Sequence, residues 1–434
     1  MRNRSNAKIW KLGKLARDTI VMCVGTGLRA FAQAIVFLII ARVLGVNGYG
    51  MFVAVLAIAG ALSGLCGLGA HVLLVRDVAC NPENFPRSWG LTLGALRWGI
   101  PVVFLLYLAI ALTVLPASIP ITVIICLGIA ELILWPLANV TIFAYQGYER
   151  MGRSSRMMLV PVVARLMGAL IFVGVSTESL TEPLLLWSLF YALSGLVAVL
   201  YSHICVIRDL GRPIFPAKHQ LLKYVKESLP FAFWAIAEKL YIDVDKVMLA
   251  RMTTFDITGA YSAGYRFVDM AFLPMYALLN ASSPRLFRAG KTGISSAIAY
   301  SNRIFLVPFI YGLLIGVVLF YTAPLLPYLI GDNFNEAIYV TQWLAWLPAI
   351  TLPRLIMQNI IGTTGLQRIG AVIIFSGAVV NIGLNIWWIP TFGWRGSAAS
   401  TYAAEVIMSL FMVGLIFSKR NEFAVELQSV RKTE

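Results

Sequence analysis

Charge is scarce in this chain. Only 13% of its 434 residues are Asp, Glu, Lys or Arg, while 59% are hydrophobic; an ordinary globular domain is about a quarter charged. That shortage excludes a soluble globular protein, and the hydrophobic excess excludes an intrinsically disordered one. Cysteine is sparse too. Cys23, Cys66, Cys80, Cys126 and Cys205 lie far apart with no CxxC pair, which speaks against a disulfide framework or a zinc site and suits small apolar filler. His71, His203 and His219 are equally scattered. They suggest no metal, and no cofactor is called for. A GxxxxGK[ST] loop is absent, which removes an ATP-driven pump in one chain. No connection between apolar runs exceeds about 22 residues, so no extramembrane catalytic domain is expected.

What remains is a series of apolar runs. One helix crosses a bilayer in about 20 residues, and the runs fall near 19–41, 49–75, 91–114, 119–145, 157–176, 184–206, 229–250, 259–284, 304–323, 337–361, 369–390 and 396–417. The sequence therefore predicts an all-α, polytopic membrane protein with twelve transmembrane helices. Met1 to Asp18 carries six cations ahead of the first run. That run is too long for a signal-peptide core and reads as a retained first span. Ile9, Trp10, Leu12 and Leu15 among Lys8, Lys11 and Lys14 fit a short amphipathic surface helix, and a plain basic flank fits them as well.

The net charge of +15 comes from 35 Lys and Arg against 20 Asp and Glu. Its distribution decides its meaning. Of the 35 cations, 25 fall at the termini and in even-numbered connections, 3 (Arg42, Arg251, Arg395) in odd-numbered connections and 7 within the runs. By the positive-inside rule both termini face the cytoplasm. Topology thus accounts for the excess without nucleic acid, which would call for a basic face on a soluble domain.

Six runs on each side leave residues 1–206 as an N-terminal lobe, 207–228 as a cytoplasmic linker and 229–434 as a C-terminal lobe. The lobes echo each other. Ala41-Arg42 followed by Gly48-Tyr49-Gly50 is answered by Ala250-Arg251 followed by Gly259-Ala260-Tyr261, and Arg76 by Arg285, at offsets of 209 to 211. An even number of spans per half gives a parallel repeat, two six-helix lobes related by a pseudo-two-fold along the membrane normal. Transporters of this kind place the site between the halves at mid-membrane.

Ionisable residues in the runs are the functional candidates. They are Arg29, Arg97, Glu131, Arg165, Glu238, Lys239, Asp243, Asp245, Lys246, Arg266, Asp269, Arg354 and Glu405. A central charge costs about 2.5 to 3.5 kcal/mol to insert, so the five charges of the seventh run would cost roughly 12 to 17 kcal/mol if unpaired. That run must face protein or water. At about 100° per residue, Lys239, Asp243 and Lys246 share one arc, while Glu238 and Asp245 form a neighbouring one. Asp243-Val244-Asp245 resembles the DxD of glycosyltransferases, but on a helix the two carboxylates point about 200° apart and cannot easily share an ion. Arg266 and Asp269 are spaced to pair. For the acids, buried ion pairs and the lining of a hydrated cavity are both open readings. Arg29 has Thr26 and Gln33 beside it and no acidic neighbour on its helix. An unpaired guanidinium there is a fork for phosphate or carboxylate.

At these residues the chain resembles a known family. Ala41-Arg42-Val43-Leu44-Gly45, Gly48-Tyr49-Gly50 and Leu73-Leu74-Val75-Arg76-Asp77-Val78-Ala79 look like the opening of the polysaccharide flippases. Asp245-Lys246-Val247-Met248-Leu249 and Gly259-Ala260-Tyr261-Ser262-Ala263-Gly264-Tyr265-Arg266 look like their seventh and eighth helices. The wider resemblance is to the multidrug, oligosaccharidyl-lipid and polysaccharide exporter superfamily. It implies two lobes around a hydrophilic cavity, and alternating access that carries an undecaprenyl-pyrophosphate-linked oligosaccharide, an O-antigen or capsule repeat unit, across the bacterial inner membrane. Membrane lipid and the polymerases or ligases of polysaccharide assembly are the implied partners. Arg29 and Arg266 stand where related flippases place cavity cations. Peptidoglycan-precursor flippases have two further helices and a further arginine on the second, and this chain has neither.

The expected substrate-binding cations are therefore Arg29, Arg266, Lys239 and Lys246, and the expected ion-coupling acids are Glu238, Asp243, Asp245 and Asp269. A cation-coupled multidrug exporter is the first alternative, and the mid-span arginine argues against it. A membrane glycosyltransferase or polymerase is the second, and the short, nearly uncharged outer connections argue against that.

Overall fold

A computed structural model describes residues 14–176, 182–291, 294–364 and 366–433. The first thirteen residues, where the amphipathic surface helix was one expectation, lie outside the described residues. Every regular element among those described is helical. The first half holds α1 (Lys14–Cys66), α2 (Ala70–Cys80), α3 (Phe85–Val114), α4 (Ile121–Gly128), α5 (Trp135–Gly147), α6 (Met151–Ser176) and α7 (Pro183–Asp209). The second holds α8 (Lys218–Met252), α9 (Phe255–Lys291), α10 (Ile294–Thr322), α11 (Leu326–Ile330), α12 (Asn335–Leu344), α13 (Leu347–Thr363), α14 (Gln367–Phe392) and α15 (Trp394–Thr433). An all-helical answer follows from the composition, because hydrocarbon offers backbone groups no partners and a helix satisfies them internally.

Among the described residues, eight helices are long and apolar enough to cross a membrane, or nine if the pair Asp332–Leu344 and Leu347–Thr363, bent by 50°, is one span. The twelve runs exceed this count at three places. Val24–Cys66 is one stretch of 43 residues, about 65 Å if straight and twice the hydrocarbon thickness. It is not straight, because Gly45 (φ 66, ψ 178) breaks it into two arms. The others are α8 and α9, whose charged residues dilute their apolar character.

Local chemistry sets the breaks. Pro86, Pro136, Pro183 and Pro348 stand in the first turns of their helices, where a missing N–H is harmless. Gly331 (φ 112) and Gly393 (φ 58) turn the chain before α12 and α15. The second apolar run does not continue to residue 75 as one helix. It stops at Cys66 and restarts as α2 after Gly69 (φ 77), where a Cβ would lie 2.3 Å from the Ser228 carbonyl oxygen of α8. The linker expected over 207–228 is irregular only over 210–217, and from Lys218 it is already α8.

The largest core cluster runs from Phe37 to Val206 and crosses into the second half through residues such as Ala250, Phe255, Ala260 and Phe334. Here α1 packs against α6 within its half and against α8 and α9 of the other. Outward-facing side chains such as Leu105, Leu170, Leu314 and Leu410 are more than half exposed, the apolar coat expected where the neighbour is lipid.

Candidate functional site: a charged cavity between the halves

Between the halves lies a cavity of about 380 Å³. Its first-half wall comes from α1 (Arg29, Gln33, Tyr49, Phe52, Ser63), the segment before α5 and its start (Glu131, Trp135), α6 (Arg165) and α7 (Trp187, Tyr191). Its second-half wall comes from α8 (Lys239, Asp243, Lys246) and α9 (Ser262, Arg266, Asp269). A second chamber, also about 380 Å³, shares Arg29, Ser63, Trp135 and Lys239 with the first and reaches His71, Asn139 and Phe143.

The eight sequence candidates divide. Arg29, Arg266, Lys239, Lys246, Asp243 and Asp269 line this cavity, and Glu238 and Asp245 do not. The division on α8 follows helix periodicity, since 239, 243 and 246 share a face that 238 and 245 leave. Asp245 is buried behind that face, where it accepts hydrogen bonds from the Tyr261 hydroxyl and the Lys246 amide, each at 2.8 Å. Glu238 is exposed. The two carboxylates of the DxD string thus point to different surroundings.

Lys246 is tied down. Its Nζ lies 2.8 Å from Asp243 Oδ1 and 2.9 Å from the Ile242 carbonyl oxygen, with the Tyr265 ring centroid at 5.1 Å. Arg266 and Asp269, spaced to pair, form no ion pair among the described residues; each faces the cavity instead. Arg29 has no carboxylate partner among the described residues. Its guanidinium carbon lies 5.4 Å from the centroid of the Trp135 ring, a cation–π contact that holds a charge without neutralising it.

Two cavity residues stood among the sequence's intramembrane charges without a site role. Arg165 Nη2 donates to Glu131 Oε1 at 3.0 Å, and the Tyr191 hydroxyl donates to the same oxygen. Glu131 sits in a π-helical turn, Ile129–Leu134, that joins α4 to α5. Such a turn shifts side chains relative to an α-helix and recurs at functional sites. Nothing in helix periodicity pairs Glu131 with Arg165, because they stand on different helices. Arg354 and Glu405 form another buried pair, with the Tyr241 hydroxyl also on Glu405 at 2.7 Å. Neither lines the cavity.

The cavity therefore carries five cations (Arg29, Arg165, Lys239, Lys246, Arg266) and three acids (Glu131, Asp243, Asp269). Two acids are engaged by lysine or arginine within the wall. The wall can hold an anion with charge to spare.

Comparison with known proteins bears on the fold and the family. Solved multidrug-resistance MATE transporters of the MOP superfamily share the fold. An inward-facing one matches with a TM-score of 0.69 at 13% identity, covering 93% of this chain and 99% of that one. An outward-facing one matches with 0.59 at 14% identity, covering 94% and 96%. A MOP superfamily transporter from Pyrococcus furiosus, described as having a binding pocket of reversed polarity that suggests a different function, matches with 0.56 at 13% identity, covering 94% and 96%. No curated protein is similar enough to count as a match. The family model for polysaccharide biosynthesis protein matches residues 15–289, well over half of the chain. The chain belongs to that polysaccharide biosynthesis protein family.

Proposed function

We propose that this protein is a flippase that moves an undecaprenyl-pyrophosphate-linked oligosaccharide across the bacterial inner membrane by alternating access. The observation that carries the reading is the cationic excess of the cavity between the halves, on side chains from both. A diphosphate with attached sugars cannot cross hydrocarbon unaided, because its polar groups find no partners there. In the cavity, Arg29, Arg266 and Lys239 hold the diphosphate while the prenyl chain stays in lipid. None of the three forms an ion pair with a described carboxylate, whereas Arg165 and Lys246 each do. Lys246, bonded to Asp243, contributes field more than direct contact.

The reading has twelve spans: the two arms of α1, then α3, α4 with α5, α6, α7, α8, α9, α10, α12 with α13, α14 and α15. Residues 1–206 and 229–434 form the two lobes and both termini are cytoplasmic. The second chamber then opens toward the cytoplasm through His71 and Phe143. Polymerases and ligases of O-antigen or capsule assembly are the partners this role requires, and no enzymatic step belongs to the chain itself.

The multidrug exporters that share the fold suggest a second substrate class, organic cations. Five cations against three acids disfavour it. The test is genetic and chemical. Deletion of the gene should abolish surface polysaccharide and leave completed lipid-linked repeats at the inner leaflet. Wild type should restore it, Arg29→Ala should not, and Arg29→Lys should restore it in part. Normal surface glycan in the deletion strain would overturn the reading.

A further inference from the structure

The two buried glutamate–arginine pairs among the described residues are built differently. Arg354 uses two of its nitrogens: its Nε donates to Glu405 and its Nη1 to Gln358 Oε1 at 2.9 Å, off the cavity, with side-chain exposures of 8% and 3% for the pair. Arg165 differs. Its Nη2 meets Glu131, its Nε is buried without a hydrogen-bond partner, and both side chains border the cavity, 14% and 13% exposed. A guanidinium carries five N–H donors, and leaving a buried one unused has a cost that a structural pair normally avoids.

The rings around it fix where it points. The Arg165 guanidinium carbon lies 4.1 Å from the Tyr191 centroid and 5.3 Å from that of Trp135, the ring that Arg29 also covers at 5.4 Å. Two guanidiniums from α1 and α6 thus share one indole. They are no more than about 11 Å apart, a separation that a diphosphate bridges at charge-assisted bond lengths of about 2.7–2.9 Å on each side.

We propose that Arg165 is a further phosphate-binding cation of the cavity, beside Arg29, Arg266 and Lys239, and that Glu131 is a built-in placeholder anion that holds its guanidinium until a diphosphate arrives. The incoming diphosphate then competes with the Glu131 carboxylate for one guanidinium. The ligand class is a diphosphate monoester or diester. Arg29 and Arg165 each contact one of its phosphoryl groups, with Trp135 setting the spacing between them, and Arg266 and Lys239 complete the contacts from the other half. This rests on reading the cavity as an anion path.

The test uses the full-length protein in detergent and inorganic pyrophosphate as the probe, with binding measured by calorimetry. Wild type should bind. Arg165→Gln should weaken binding by about tenfold or more, the scale of one lost charged hydrogen bond, and Arg165→Lys should recover only part of it. Glu131→Gln should tighten binding severalfold, because it removes the internal competitor yet keeps an oxygen for Arg165 and Tyr191. A structural pair predicts the opposite sign, since a loosened Arg165 would bind less well. Weaker binding in Glu131→Gln, or unchanged binding in Arg165→Gln, overturns this proposal while Arg29-dependent binding leaves the anion path standing. No pyrophosphate binding by wild type overturns both. If Arg165→Gln fails to fold, the sign of the Glu131→Gln effect decides alone.

Discussion

Gly50 and Gly259 meet backbone to backbone across the seam between the halves. A Cβ on Gly50 would stand 2.0 Å from the Phe255 carbonyl oxygen, and one on Gly259 would stand 2.1 Å from that of Val46. At the offset of 209 set by Ala41 and Ala250, residue 50 answers to 259 and residue 46 to 255. Each half therefore offers the same glycine to the same carbonyl of the other. Such reciprocity is what a two-fold relation requires, as in an isologous contact. Phe37 against Phe267 and Tyr49 against Phe334, with centroids 5.6 and 6.2 Å apart, pack across the same seam.

Because the obstacle at each glycine is backbone, a side chain there cannot be accommodated by a rotamer change. Overpacking of this kind costs about 1–3 kcal/mol, enough to shift a balance between two states. We expect Gly50→Val and Gly259→Val to hold the seam open at the end that the proposed topology makes periplasmic. A single cysteine placed at Phe52, in a chain without its native cysteines, should then react faster with a membrane-impermeant thiol reagent added outside cells. Unchanged reactivity would contradict the seal.

Gly45 allows a purely conformational test. Its φ of 66 and ψ of 178 lie in a region nearly restricted to glycine, and a Cβ there would meet nothing within 4 Å. Gly45→Ala should cost about 1–3 kcal/mol through backbone strain alone. A lower melting midpoint in detergent checks this. An unchanged midpoint would mean that the arms of α1 join by another route.

The buried acids should respond differently to truncation. Glu405→Ala leaves Arg354 as an unpaired buried charge, and we expect a loss of about 3–5 kcal/mol, read as a large fall in the melting midpoint. Asp269→Asn removes no ion pair among the described residues and should leave the midpoint close to wild type. Equal midpoints for the two variants would refute this assignment.

Asp269 is also the better placed of the cavity acids to exchange an ion, since Asp243 is bridged by Lys246 and Glu131 by Arg165. If transport is coupled to protons or sodium, Asp269→Asn should blunt the response of substrate flipping in vesicles to an imposed gradient. Asp243→Asn should lower stability as well. Flipping by wild type that ignores both gradients would reject coupling altogether.

Much of the site was legible on single helices. The charged arc of α8 follows from 100° spacing, which separates Lys239, Asp243 and Lys246 from Glu238 and Asp245 before any packing is known. Arg29 stood out because its helical neighbours are polar and not acidic. The Glu131–Arg165 pair was not legible, because the two residues stand on different helices and only the packing of α6 against the π-helical turn joins them. The pairing of Arg266 with Asp269 was allowed by spacing and is not made among the described residues; both side chains line the cavity.

Composition and run length by themselves decided that this chain is helical and built for a bilayer, since scarce charge and long apolar stretches permit no other way to satisfy the backbone. They also decided which helices carry charge that lipid would not tolerate. Only the tertiary structure decided which of those charges share one cavity, which are spent on one another, and where the halves touch. Periodicity reports neighbours along one helix. Neutralisation and close approach depend on side chains and carbonyls that far-separated segments bring together.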